Sequence, residues 1–258
     1  MGNNWLFKFI SPSRIDNYLK YLSGYEWKFG DNFKEFTTEA FIDKLLGIEE
    51  PSHHLEFGTA FHKIFEDGGY GEQPNPIVKN GVTFTFSKDF ELYYPPIREM
   101  PVSKVIGNVL INGTTDSIDA NTVHDLKTSK QFDYEYYSSS VQWQTYLMLT
   151  GLNEFIYHVF VCDKDEFNKT VIVKDYHQIK LTRYVGMESY VTNIVNDYFE
   201  CLLNFEPLII ARMNEYNNQI SEFIEQLKSS QIVTAKHEIN DLINKLQSKY
   251  LTKEKQRC

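Results

Sequence analysis

The sequence predicts an α/β protein: a central mixed sheet of about five strands, flanked by helices and followed by a C-terminal helical extension. Three observations predict it. Apolar residues recur at helical spacing in the first 70 residues, at 141–151 and from about 183 to 211. Short β-branched runs bounded by turn residues occupy 82–127 and 155–176. From 213 onward the chain is polar, with apolar residues three and four apart.

The elements follow in order. SPSRIDNYLKYLSGY (11–25) opens with Ser and Pro and places Ile15, Tyr18, Leu19 and Leu22 at helical spacing, which predicts a capped first helix. TEAFIDKLLG (38–47) predicts a second helix, stopped by Gly47. LEFGTAFHKIFEDGG (55–69) puts Phe57, Phe61, Ile64 and Phe65 on one face and ends at a Gly pair, which predicts a third. VTFTF (82–86) is a strand. KVIGNVLI, GTTDSIDA and TVHDLK (104–127) predict a three-stranded antiparallel meander with turns at Asn112-Gly113 and Ala120-Asn121. VQWQTYLMLTG (141–151) is again helical, and 155–162 and 169–176 are strands. The tail repeats helical spacing on both sides of SSQ (229–231), so it reads as a helical hairpin or one long helix. The expected organisation is one domain over 1–211 and a helical appendage over 212–258.

Composition narrows the function. With 258 residues, 42% of them hydrophobic, 19 Phe and 17 Tyr, the chain can bury a large core. A charged share of 24% excludes a disordered chain. No run of about 18 apolar residues exists, which excludes a membrane-spanning helix. MGNNWLFKFI lacks the pattern of a secretory signal, and Leu6 stands where an acylation motif wants Ser or Thr. Cys162, Cys201 and Cys258 form neither a disulfide framework nor a C-x-x-C metal site, which suits a reducing, cytoplasmic setting. The net charge of −9 argues against simple polyanion binding but does not exclude a nucleic-acid enzyme, whose site needs carboxylates for metal and only a local basic track for phosphate. Lys245, Lys249 and Lys253 form a basic stripe if the tail is helical, either such a track or, the plainer reading, a merely solvated helix end.

The chemistry concentrates in GTTDSIDANTVHDLKTSK (113–130). Asp116 lies on one strand and Asp125-Leu126-Lys127 on the next. Alternation puts Asp125 and Lys127 on one face and Leu126 on the other, toward the core. Across the hairpin Asp116 can approach Asp125. Two adjacent carboxylates repel unless a cation lies between them, and hard oxygen ligands suit Mg²⁺ or Mn²⁺. A lysine beside such a metal can orient or deprotonate water, which is equipment for phosphodiester hydrolysis. Read alone, the same residues also describe an exposed hairpin of solvated charge pairs.

The arrangement resembles the PD-(D/E)XK phosphodiesterase superfamily, in its RecB-like nuclease branch. The resemblance runs over roughly residues 10 to 175 in five ordered elements: SPSRIDNYLKY as the opening helix, FGTAFHKIFE (57–66) as the histidine helix, Gly113-Thr-Thr-Asp116, Asp125-Leu-Lys127 followed by Thr128 and Ser129, and Gln142-Trp-Gln-Thr-Tyr146 as the Q-x-x-x-Y helix. It implies a restriction-endonuclease-like core. His62, Asp116, Asp125 and the Leu126 carbonyl would hold Mg²⁺ or Mn²⁺, Lys127 would position or activate water, and Gln142 and Tyr146 would border the site. It places Glu99 as an accessory residue on the preceding strand, where a plain surface charge is the equal alternative. Arg14 would contact phosphate or simply begin a helix, and Trp143 would stack on bases or belong to the core. His53 and His54, expected in a loop before the third helix, lack a fourth ligand for zinc with His62.

Departures from the family pattern carry expectations too. The first helix has no cysteine, so no iron–sulfur cluster is expected. No G-x-x-x-x-G-K-[ST] motif is present, so no nucleotide cofactor is expected, and a helicase or recombination protein would be a separate partner. The resemblance implies a DNA exonuclease of recombination, repair or phage DNA metabolism in a bacterial or phage-infected cytoplasm. A restriction-type or junction-cutting endonuclease and a non-catalytic DNA-binding subunit are the alternatives.

Overall fold

The computed structural model describes residues 9–29, 32–48, 53–67, 75–88, 95, 97–107 and 109–229. In chain order the elements are β1 (Phe9–Ile10), α1 (Pro12–Ser23), β2 (Tyr25–Phe29), β3 (Asn32–Glu35), α2 (Thr38–Leu46), α3 (His53–Asp67), β4 (Ile77–Lys79), β5 (Val82–Phe86), β6 (Ile97–Ile106), β7 (Val109–Ile118), β8 (Thr122–Ser129), α4 (Tyr134–Ser138), α5 (Gln142–Thr150), β9 (Glu154–Asp165), β10 (Thr170–Thr182) and α6 (Met187–Ser229). The chain divides into two compact units, one formed by Met1–Phe36 with Glu50–Leu202, the other by Thr37–Glu49 with Leu203–Cys258.

The first unit is an α/β fold on a mixed, eight-stranded sheet in the order β1-β7-β8-β9-β10-β5-β4, with β6 paired to β7. β6, β7 and β8 form an antiparallel meander as expected, but its first strand lies at Ile97–Ile106 rather than 104–111; β8 pairs parallel with β9, and β9 pairs antiparallel with β10. β10 is parallel to β5. The sheet is larger than the five strands expected, because β1, β4 and the first half of β6 carry weak sequence signals. β1 is only two residues long. Pro101 interrupts the β6 run, and a proline is tolerated there because β6 lies outside the main strand order and needs no ladder bond on its far edge. The separate hairpin β2–β3 was not anticipated either.

Each face of the sheet carries its own core. On one face Phe57, Phe61 and Ile64 of α3 pack with Leu126, Phe160, Val82 and Phe84. On the other, Trp143, Tyr146 and Leu147 of α5 pack with Val123, Phe155, Tyr157 and Val159. The alternation Val123 to one face and Leu126 to the other is the strand period expressed in packing. Burying each such side chain contributes about 1.5–3 kcal/mol. α5 is buried nearly all round, which is why its sequence has little amphipathic contrast.

Local signals place the helices well. Ser11 caps α1 through Arg14 N, and Gly24 ends it at φ 81°. Asp16 of α1 accepts from Ser140 Oγ (2.6 Å) and Val141 N (3.2 Å), which fastens α1 to the start of α5. α3 begins at His53, so His53 and His54 open the helix rather than precede it. In the second unit Thr37 caps α2, and Arg212 grips Asp43 with two bonds of 2.7 and 2.9 Å. α6 continues past Leu202 through Pro207 to Ser229. The basic stripe of Lys245, Lys249 and Lys253 lies outside the described residues.

One turn is misplaced by the sequence reading. Asn112-Gly113 is not a hairpin turn but lies inside β7; β6 ends at Ile106 and pairs antiparallel with β7 from Val109, with Gly107 at φ 56°. Gly113 serves a different purpose: a Cβ there would meet Pro12 Cδ at 3.0 Å and Tyr146 Cε1 at 3.1 Å. It is glycine for close approach.

Candidate active site

The site is built by a parting of strands. β6 runs along one edge of β7 from Val109 to Ile118. The other edge pairs with β1 at Leu110 and Ile111, and with β8 only at Ser117 and Ile118. Between these short ladders, 112–116 has no strand partner on that edge among the described residues. Side chains fill the gap. Tyr146 Oη donates to Thr114 O at 2.8 Å, and Leu126 N donates to Asp116 Oδ2 at 2.7 Å. The carboxylate of Asp116 thus replaces a ladder carbonyl. Continuing the Ser117–His124 register by one step brings Asp116 to the level of Asp125.

Four charged or titratable groups meet there. His62 Nδ1, from α3, is 3.4 Å from Asp116 Oδ1. Lys127 Nζ is 2.6 Å from Asp125 Oδ2 and 5.9 Å from the centre of the Tyr157 ring. Asp125 is only 5% exposed, and its Oδ2 has no well-aligned hydrogen-bond donor among the described residues, so the contact with Lys127 is a bent ion pair.

The electrostatics follow from burial and from this grouping. Burial pushes the Asp125 carboxyl up, Lys127 pulls it down and Asp116 adds a further upward push. Burial would also raise Asp116, but the His62 hydrogen bond and charge, Lys127 and the Leu126 N–H outweigh it and hold that carboxyl below the usual range. Burial alone would lower Lys127, yet Asp125 and Asp116 together raise it, so the ammonium stays charged. His62 behaves alike: burial works against its charge, and the bond to Asp116 with the charges of Asp116 and Asp125 prevails and raises it. Two carboxylates of unequal acidity beside a fixed cation mark a site organised around charge.

The residues singled out in the sequence divide into groups. His62, Asp116, Asp125 and Lys127 come together, and Leu126 points its side chain into the α3-side core as alternation requires. Tyr146 closes the gap in β7, and the Gln142 side chain bonds the Tyr146 hydroxyl, whose pKa burial raises. Glu99 stands on β6 at the level of Asp116, with φ 50°, a conformation uncommon for a side-chain-bearing residue. Partial burial and the charges of Asp116 and Glu66 raise its carboxyl. Arg14 is exposed at the start of α1. Trp143 belongs to the core: it is 5% exposed, and its indole N–H donates to Ser138 O at 3.1 Å. That corrects the expectation of a base-stacking face, because the helix that presents Tyr146 to β7 turns Trp143 into the same core. The reading of the chain missed Tyr157, whose ring lies beside Lys127, and Tyr137, which packs against Tyr157. Their rings lie 5.3 Å apart, and burial pushes Tyr137 up to about 12. Nothing in a run of strand and helix aromatics distinguishes these two.

The donor set suits a small hard cation. Two carboxylates from neighbouring strands and one imidazole are ligand types that Mg²⁺ and Mn²⁺ accept, and Asp125 Oδ2 is a buried oxygen without an aligned donor. Among the described residues no three His, Cys, Asp or Glu side chains already converge as a cage, since Lys127 and His62 each lean on a carboxylate. A cation would take over those two contacts.

No family model and no curated protein matches the chain. Among solved structures, it is similar to LHK-Exo in complex with dAMP, at 12% identity over 84% of this chain and 97% of that one, with a TM-score of 0.42. It is also similar to the alkaline exonuclease LHK-Exo from Laribacter hongkongensis, at 14% identity over 83% and 95%, with a TM-score of 0.37. Likenesses of this depth leave the chemistry to the site itself.

Proposed function

We propose that this chain is a divalent-metal-dependent deoxyribonuclease that hydrolyses phosphodiester bonds from free DNA ends, preferably single-stranded ones. The observation that carries the reading is the strand fork, where Asp116, Asp125, His62 and Lys127 gather beside the stretch of β7 that, among the described residues, has no strand partner on its β8 edge. Asp116, Asp125 and His62, with the Leu126 carbonyl, are the residues that would hold Mg²⁺ or Mn²⁺. When bound, such a cation supplies Lewis-acid stabilisation of charge on the phosphate and an acidified water. The Lys127 ammonium, held charged by the carboxylates, orients the attacking water and offsets negative charge developing on the phosphate oxygens. Tyr146 and Gln142 hold the open edge of β7 so that Asp116 stays aimed at the fork. His62 approaches from α3 and Tyr146 from α5, so helices on both faces flank the opening. A single strand fits between them more readily than a duplex about 20 Å wide.

The test uses purified protein with Mg²⁺ or Mn²⁺ and end-labelled linear DNA beside covalently closed circles. Linear DNA is expected to shorten progressively while closed circles persist, and excess chelator stops the reaction. Cleavage undiminished in EDTA overturns the metal mechanism. Circles nicked as fast as linear DNA is consumed replace the exonuclease with an endonuclease. Metal-independent binding of DNA without any cleavage points to a non-catalytic DNA-binding subunit.

A further inference from the structure

On the sheet face opposite Asp125 and Lys127, a run of polar side chains crosses three strands. His124 of β8 and His158 of β9 are 2% and 1% exposed. His124 Nε2 lies 3.3 Å from Asp119 Oδ2 in the β7–β8 turn, and His124 Nδ1 lies 2.9 Å from His158 Nε2. His158 Nδ1 is 2.6 Å from Tyr176 Oη on β10, and Gln178 Nε2 donates to that same oxygen at 2.6 Å. The rings lie edge to edge and nearly coplanar, His124 with His158 at 18° and His158 with Tyr176 at 8°.

The chemistry of the end group sets the direction of the whole run. A carboxylate only accepts, so His124 carries its proton on Nε2. Two imidazole nitrogens 2.9 Å apart share one proton, and His124 has already committed its Nε2 proton to Asp119. His124 Nδ1 therefore accepts from His158 Nε2–H, and His158 Nδ1 accepts from the Tyr176 hydroxyl. Donation runs one way, from Gln178 through Tyr176, His158 and His124 to Asp119. Asp119 also accepts from Asn121 N and Thr122 N, so the relay ends in the turn that leads into β8.

The placement gives the relay a task. β8 is held to β7 by two residue pairs only, and it parts from β7 immediately after His124. The next three residues are Asp125, Leu126 and Lys127. We propose that Asp119, His124, His158, Tyr176 and Gln178 are positioning residues whose one-way hydrogen-bond relay ties β8 through β9 to β10 and so fixes where Asp125 and Lys127 stand. The kinetic consequence rests on the nuclease reading; the mechanical one does not.

The test pairs local hydrogen exchange with kinetics in His158→Phe, His158→Gln and Tyr176→Phe. In the wild type at pH 7, nitrogen shifts should report both imidazoles neutral and protonated on Nε2. The Leu126 amide, bonded to Asp116, should exchange about tenfold faster in His158→Phe, while the Val171 amide in β10 stays within about twofold. On linear DNA with Mn²⁺, kcat should fall about tenfold with KM within about twofold. The amide of His158→Gln, which offers a donor and an acceptor, should restore both. Tyr176→Phe, which removes only the hydroxyl, gives the same local loosening should His158→Phe not fold. A ring protonated on Nδ1, Leu126 and Val171 loosening together, an unchanged Leu126, or an unchanged kcat in a folded variant overturns the proposal. A wild type that does not cleave DNA overturns the nuclease reading, and the Leu126 comparison still decides the relay.

Discussion

Asp125 is buried and Lys127 half-buried beside it, and their separate substitutions should have separate effects. Lys127→Ala removes a cation that two carboxylates hold charged. It should keep the fold and Mn²⁺ binding and lose turnover by about two or more orders of magnitude, as for the loss of a pre-placed electrostatic group. Single-turnover cleavage with a parallel metal titration checks it, and loss of folding would make Lys127 structural. Asp116→Ala and Asp125→Ala should abolish cleavage and weaken metal binding, because each removes an oxygen ligand. His158 adds a pH dependence. Burial and the neighbouring His124 lower its pKa to about 3 in the folded chain, against about 6.5 unfolded. Below pH 6.5 the unfolded chain therefore binds the extra proton. Stability is full above that pH and falls as pH drops from 6.5 toward 3, at up to about 1.4 kcal/mol per unit from this group. Urea melts between pH 7 and 5 should fall more steeply for the wild type than for His158→Gln.

At the scale of elements, the parted strands β7 and β8 make the site, and their neighbours keep them parted. Gly113→Ala places a methyl 3.0 Å from the Pro12 ring and 3.1 Å from the Tyr146 ring. Neither neighbour swings away easily: Pro12 is rigid at the start of α1, and Tyr146 is bonded to Thr114 O. The substitution should cost about 1–3 kcal/mol by overpacking, read as a lower unfolding midpoint, and should displace Tyr146. The α5 helix gives a contrasting case. Trp143→Phe should cost stability through lost core packing and the lost bond to Ser138 O, yet leave the affinity for single-stranded DNA unchanged. A weakened DNA affinity in a variant of unchanged stability would return Trp143 to the binding surface.

Across the whole molecule, the charge is −9 while the last residues are basic. Truncation after Leu242 removes Lys245, Lys249 and Lys253. If that stripe contacts phosphates, the truncated protein should bind DNA more weakly at low salt and with a flatter salt dependence. Equal affinity and equal slope in a fluorescence titration would exclude the stripe. No helix among the described residues is long and apolar enough to cross a membrane.

Sequence alone determined what local physics controls. Caps and glycine stops marked α1, α2 and α5 to within a residue or two, because they act through the backbone of adjacent residues. The period of two put Asp125 and Lys127 on one face and Leu126 on the other, because alternation is a property of any extended chain. Tertiary structure decided the rest. Whether Asn112-Gly113 turns the chain or lies within a strand depended on what packs against Gly113, and that is a proline and a tyrosine distant in sequence. Whether Trp143 faced bases or core depended on which side of α5 met the sheet. The relay joins β8, β9 and β10, and its histidines read in sequence as ordinary strand residues. Hydrogen-bond partners 34 and 18 residues apart leave no trace in local pattern; only the fold brings their donors and acceptors within reach.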